Sequence, residues 1–349
     1  MAEVTIGTRK VGDKHPVFIV AELSANHLQR FDLALRLIDA AKEAGADAIK
    51  LQTYTPDTIT INSDKEYFQI KQGTIWDGTT LYKLYEEAYT PWDWQPKLKE
   101  YAESLGLVCF SAPFDPTAVD FLEKMHNPAY KVASFEITDT PLIKYMASKG
   151  KPMIISTGIA TREDINEAVE TCRTAGNDQI ILLKCTSAYP TPLSDVNLRT
   201  IPDIATRYNT LVGLSDHSIG ISVPIAAVSL GACLVEKHLI IDRSQGGPDA
   251  AFSLEPAEFK EMVTAIRQVE EALGTANYNL TDKMKRSREF ARSLFAIKDI
   301  MQGETLTEEN VRSVRPAYGL PPRFLDKVIG MRAKVEIEKG TPLSWEIIE

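Results

Sequence analysis

Eight short apolar runs recur through the first 240 or so residues, and nearly every one ends in side chains capable of chemistry. In order they are FIVAE (18–22), AIKLQT (48–53), LVCFSAPF (107–114), YKVASFE (130–136), MIISTG (153–158), IILLKCTSAY (180–189), LVGLSDH (211–217) and CLVEKH (233–238). Helical patterns separate them. FDLALRLIDAAKEAGA sets Leu33, Leu37, Ile38, Ala41 and Ala44 on one stripe and stops at Gly45. TREDINEAVETCRTAG opens on Thr161 as a cap, continues with acids and stops at Gly176. Similar stretches predict helices at about 92–105, 116–125, 139–149, 222–232 and 256–273. Strands alternating with helices pair in parallel through crossovers, and runs that are apolar on both faces suit a sheet buried on both. Eight such units predict an α/β chain closed into a (β/α)8 TIM barrel. All strand C-termini of that fold share one rim, where its active sites are built.

The 349 residues leave room for a barrel and a small second domain. The barrel pattern occupies 1–274, the polar stretch 275–290 reads as a linker, and 291–349 reads as a β-rich module. That module contains an internal echo: AIKDIMQGETLTEEN (296–310) and AKVEIEKGTPLSWEI (333–347) align Ile300 with Ile337, Gly303 with Gly340 and Leu306 with Leu343. Two copies of one unit imply pseudo-symmetry. One barrel connection, Tyr54 to Tyr89, shows no clean period; its aromatic residues favour an ordered loop over the site mouth.

A formal net charge of −9 argues against wrapping nucleic acid or clinging to an anionic membrane. The N-terminus lacks the apolar stretch of a signal peptide, and no run reaches membrane-spanning length. Cys109, Cys172, Cys185 and Cys233 form no C-x-x-C pair; the three inside strands read as buried thiols in a reducing cytoplasm, the expected compartment.

His217 and His238 end the seventh and eighth runs, which are neighbours in a closed barrel. Two imidazoles on one rim can hold a divalent metal ion, water and substrate oxygens completing the shell; the bland alternative is two hydrogen-bonded core histidines. His27 follows the first run and suits a role in orienting its loop, whereas His15 and His126 fall outside the pattern. Lys50 and Lys131 stand in apolar surroundings and suit a dianion such as a phosphate ester; a Schiff-base lysine is the competing chemistry. Ser134, Ser187 and Ser215 add neutral donors, although a lone serine is more often a satisfied loop hydroxyl. Glu22 and Glu136 suit a general base or a partner of sugar hydroxyls, and equally an ion pair to Lys50 or Lys131. After the eighth run, Gly246, Gly247 and Pro248 make a tight turn from which Asp249 projects, as a ligand contact or as a turn cap.

Together, AELSANH, DAIKLQTYTPDT, YKVASFE, STGIAT, KCTSAYPTP, GLSDHS and EKH resemble the sialic acid synthase family from end to end. The stretch RSLFAIKDIMQGE…VRPAYGL resembles that family's C-terminal antifreeze-like (SAF, β-clip) module. QTYTPDTIT, NSDKE and FARSLFAIKDI look like its pseudaminic acid branch; the sialic and legionaminic branches are the alternatives. The resemblance implies condensation of phosphoenolpyruvate with an open-chain acetamido sugar, giving a nine-carbon 2-keto acid and phosphate. By residue match it implies that His217 and His238 bind Mn or Mg and that Lys50, Lys131, Ser134 and Ser215 hold phosphoenolpyruvate. Glu22, Tyr189 and Asp249 then face the sugar, and Glu136 takes a proton from the attacking water. Arg315, in VRPAYG, matches an arginine that enters the partner's site in a domain-swapped homodimer. Three positions depart from the sialic pattern: Ala112 replaces a threonine, Ser187 an asparagine, and Phe135 a glycine, which makes the pocket more apolar. A Schiff-base aldolase and a non-catalytic binding protein are the readings from other classes; the latter leaves the charged rim without a purpose.

Overall fold

The computed structural model describes residues 3–349, which form two compact units, one ending at Gly274 and one spanning Thr275–Glu349. Two short strands not anticipated from the sequence come first. β1 (Val4–Ile6) and β2 (Arg9–Val11) make an antiparallel hairpin. Val4, Ile6 and Val11 pack among Phe18, Ala48, Ile154, Ile181 and Leu234, so the hairpin plugs the N-terminal mouth of the barrel behind it.

The eight runs form β3 (Phe18–Glu22), β4 (Ala48–Thr53), β5 (Val108–Pro113), β6 (Tyr130–Val132), β7 (Met153–Ser156), β8 (Ile180–Lys184), β9 (Leu211–Asp216) and β10 (Leu234–His238). They pair in chain order, all parallel, and β10 closes onto β3 as the expected barrel. Side chains along a strand alternate between faces. Phe18, Val20, Ala48, Ile154, Ile181, Leu183 and Leu234 fill the interior, while Ile19, Ala21, Ile49, Leu51 and Val235 pack outward in the core beneath the helices. Continuing the inward series toward the C-terminal rim brings Glu22 above Val20, Lys50 above Ala48, Ser156 above Ile154, and Glu236 and His238 above Leu234. The lower barrel is dry and the upper barrel is charged. Gly213 on β9 is obligatory, because a Cβ there would lie 2.5 Å from the Leu234 carbonyl oxygen.

The helices Phe31–Ala44 and Arg162–Thr174 form as expected, the first ending at a left-handed Gly45 and the second opened by a Thr161/Asp164 capping box. An unexpected helix covers Thr200–Tyr208, burying Ile201, Ile204 and Tyr208; Pro202 in its first turn interrupts the sequence pattern. The 54–89 connection carries Pro56–Ile59, a single turn at Glu66–Phe68, and Leu81–Ala88. Leu81, Leu84, Tyr85 and Ala88 do share one face of the helix, but two turns make a stripe too short to stand out from the surrounding loop.

In the second unit, 275–290 carries a short helix, Asp282–Ser287, and a turn, Arg288–Phe290, rather than an extended linker. β11 (Ser293–Ala296) and β12 (Val311–Val314) are antiparallel. The echo is a true pseudo-two-fold. Ile300 and Ile337 each donate to the other's carbonyl at 2.9 Å. Gly303 N–H donates to Ala333 O and Gly340 N–H to Ala296 O, both at 2.8 Å. Ile300, Ile337, Leu306 and Leu343 form its core.

Candidate active site

Register brings the rim together: His238 lies beside Glu22, and Glu22 beside Lys50, across three adjoining strands. Lys50 Nζ sits 2.8 Å from Glu22 Oε2 and 3.0 Å from Glu236 Oε1. Lys131 Nζ lies 3.7 Å from the same Glu236 oxygen and donates to Ser156 Oγ at 2.7 Å. Ser215 Oγ donates to Glu236 Oε1 at 3.2 Å, and Gln52 Nε2 donates to Glu22 Oε1 at 3.1 Å. All four charged side chains are almost completely buried. Burial pushes the Lys50 ammonium down to about 8, with Glu236 opposing the shift. At Glu236 burial favours the neutral acid, yet Lys131 and Lys50 outweigh it and hold the carboxylate well below its usual range. Two buried ammonium groups stand against two buried carboxylates, Glu22 and Glu236, so the cluster is balanced in the free chain while it keeps both lysines together at the rim.

Glu136 follows β6 on the turn Ser134–Glu136. Its Oε2 is buried without a hydrogen-bond partner among the described residues. Burial raises it to about 7, with Lys131 opposing. A carboxylate poised near neutrality is suited to accept a proton. Ser134 Oγ accepts from the Gly158 N–H at 3.2 Å, and Ser187 Oγ is buried and unpartnered among the described residues. A Cβ on Gly158 would come within 2.2 Å of Ser187 Oγ and 2.6 Å of Ser134 Oγ. The two hydroxyls therefore converge on a cradle that only glycine leaves open.

On the other side, the His217 and His238 rings lie with centroids 5.3 Å apart. His217 Nδ1 faces the Thr186 carbonyl at 3.4 Å and Cys185 Sγ at 3.8 Å; His238 Nδ1 is 3.6 Å from Asp249 Oδ2. Burial, then the nearby cations, drives His238 far below its ordinary value and keeps it neutral. Among the described residues no three His, Cys, Asp or Glu side chains surround a common point, so this chain would offer a metal two ligands. The fit is good. The two imidazoles lie side by side on one rim, and His238 Nδ1 is buried with no hydrogen-bond partner among the described residues, so these rings would hold the ion while water and substrate oxygens complete its shell.

The Tyr189 ring packs at a tilt against His217, Phe252 and Trp76, with centroids 4.5, 5.2 and 5.3 Å away. Trp76 Nε1 donates to Pro248 O at 2.8 Å, which draws the 54–89 connection across to the turn that carries Asp249. His27 does orient the first loop, meeting Thr90 Oγ1 at 3.0 Å. Ser111 on β5 shares a hydrogen bond with Thr53 Oγ1 at 2.6 Å beneath the rim. The barrel thus gathers Glu22, Lys50, Lys131, Ser134, Glu136, Ser187, Tyr189, Ser215, His217, His238 and Asp249 at one end, whereas Arg315 belongs to the second unit, where it is exposed. Glu236, Gln52 and Gly158 were not anticipated, whereas Ser156 stands at the polar end of the fifth run. Glu236 was legible in principle, since it shares the inward face with His238 two residues on.

A parallel barrel whose C-terminal end buries a lysine–carboxylate cluster beside two imidazoles is an enzyme's scaffold. The NeuB family model matches residues 37–278 and the SAF domain model residues 291–349; the chain belongs to the NeuB family. It is 50% identical to a pseudaminic acid synthase of Campylobacter jejuni over 94% of this chain and 95% of that protein. It is 47% identical to the pseudaminic acid synthase of Helicobacter pylori, over 96% and 98%. Among solved structures, the N-acetylneuraminic acid (sialic acid) synthetase of Leptospira borgpetersenii superposes with a TM-score of 0.73 at 32% identity, over 82% of this chain and 95% of that one.

Proposed function

We propose that this chain condenses phosphoenolpyruvate with a 6-deoxy diacetamido altrose to give pseudaminic acid and phosphate. The end-to-end likeness to proteins named for that product carries the assignment, and the buried Lys50–Glu236–Lys131 cluster supports it chemically. In this reading Lys50 and Lys131 hold the phosphate and carboxylate, with Ser134, Ser187 and Ser215 as neutral donors. Glu22, Tyr189 and Asp249 orient the open-chain sugar. The enol carbon attacks the aldehyde carbon, and water adds at the developing cation on the next carbon. Glu136 takes that water's proton. The tetrahedral adduct then breaks its carbon–oxygen bond to phosphate as the keto group forms. His217 and His238 would hold a divalent ion, Mn or Mg, whose Lewis acidity polarises the aldehyde when bound.

The test is phosphate release across a panel of acetamido sugars. Phe135 stands on the rim after β6 and is 59% exposed in the free chain; a bound sugar that covers its ring would lose about 1 to 3 kcal/mol for a hydroxymethyl group left without a partner. The 6-deoxy diacetamido altrose is therefore expected to exceed N-acetylmannosamine by about tenfold or more in kcat/KM. Equal or better use of N-acetylmannosamine would transfer the assignment to the sialic acid reaction.

The same reading includes a homodimer in which each site is completed by the partner's C-terminal module. What supports it is a ring of exposed apolar residues. Ile159, Leu193 and Ile219 follow three successive strands, β7 to β9, and stay 46–70% exposed. Runs of this kind on one face call for a covering partner. Arg315 and Tyr318 are exposed in the module. Mixing inactive Arg315→Ala with inactive Glu136→Ala chains, with subunit exchange verified, should restore about a quarter to a half of the activity per dimer by reassembling one intact site. Verified heterodimers with no activity would place Arg315 in its own chain's site.

A further inference from the structure

Behind the two imidazoles lies a buried ion pair with no part in the chemistry above. Lys237 and Asp216 face each other across β10 and β9, on the helix side, since their neighbours Glu236 and Ser215 point inward. Lys237 is fully buried and Asp216 is 3% exposed. Lys237 Nζ donates to Asp216 Oδ2 at 2.5 Å and to the Ser218 carbonyl. Asp216 Oδ1 accepts from the Ser218 N–H at 2.9 Å, and Oδ2 from Ser218 Oγ at 3.0 Å. Ser218 is itself fully buried.

This network brackets both histidines. Asp216 and Ser218 flank His217 in the chain, and Lys237 precedes His238. Through Asp216 and the Ser218 carbonyl, the network fixes the backbone that carries His217 and ties it to the residue before His238. An isolated stability role does not account for it, because a buried ion pair is often matched or exceeded by apolar residues of the same volume. What charges add is direction: five polar groups joined by hydrogen bonds across the two strand ends favour one arrangement of them.

We propose that Asp216 and Lys237 are positioning residues, an ionic staple that sets the separation and aim of the His217 and His238 rings for a shared divalent ion. The inference rests on the metal reading. Supports that orient a ligating imidazole typically change metal affinity 10- to 100-fold when removed.

The experiment measures Mn²⁺ binding by calorimetry to chelator-stripped full-length protein, alongside its melting temperature without metal. The variants are Asp216→Asn, which keeps the shape and loses the charge, and the double Asp216→Leu/Lys237→Met, which refills the space with apolar groups. Variants that stay folded should bind Mn²⁺ about 10- to 100-fold more weakly than the native chain. A folded variant with native Mn²⁺ affinity overturns the staple, and so does loss of stability with no loss of affinity. If the native chain itself fails to bind Mn²⁺, the metal reading falls and the staple with it, a result separable from the first because it appears without mutation.

Discussion

Replacing Glu136 by Gln is expected to lower kcat by about 100- to 10,000-fold with little change in the affinity for phosphoenolpyruvate, the range for loss of a general base. The substitution keeps the size of a side chain whose Oε2 is buried and unpartnered among the described residues. The pH profile gives an independent check. Burial raises Glu136 to about 7, and the base must be ionised to accept a proton, so kcat/KM should rise with pH through that value. Burial lowers Lys50 to about 8, and it must be protonated to hold an anion, so kcat/KM should fall as pH passes that value. The free enzyme should therefore show a narrow bell centred between them. In Glu136→Gln the acid limb should vanish from the residual rate while the alkaline limb stays. A variant that keeps native kcat, or keeps the acid limb, would move the base elsewhere, with Glu22 the next candidate.

Chelation should abolish phosphate release, and Mn or Mg should restore it. His217→Ala should lose both turnover and Mn²⁺ binding yet unfold at close to the native temperature, because a rim residue contributes little to the packed barrel beneath it. That lower layer of Phe18, Val20, Phe110, Ile154 and Ile181 is continuous without it. Full activity in thoroughly stripped protein would remove the ion from the mechanism. It would leave Lys50 and Lys131 to screen the reacting charges unaided.

Much of this architecture was readable in the chain itself. Short runs that are apolar on both faces and end in polar or charged residues identify β3 to β10, and closure of eight such strands forces their polar ends onto one rim. Lys50, Lys131, Glu136, His217 and His238 could be named on that ground, because a charged side chain at the end of an otherwise apolar strand has few reasons to be there. The hairpin β1–β2 escaped notice because three-residue strands carry too little period to register. Leu81–Ala88 escaped because its apolar stripe spans only two turns inside a long irregular connection.

The tertiary structure alone decided how these groups are wired. The sharing of Glu236 between Lys50 and Lys131 depends on strand register across the closed barrel, as does the convergence of Ser134 and Ser187 over Gly158. So does the tie between Asp216 and Lys237. Residue type and spacing set which face of a strand each side chain takes. Which charges meet, and so which protons are held or released, follows from distances of a few ångströms between strands far apart in the chain, where burial strips away water and makes each such contact count.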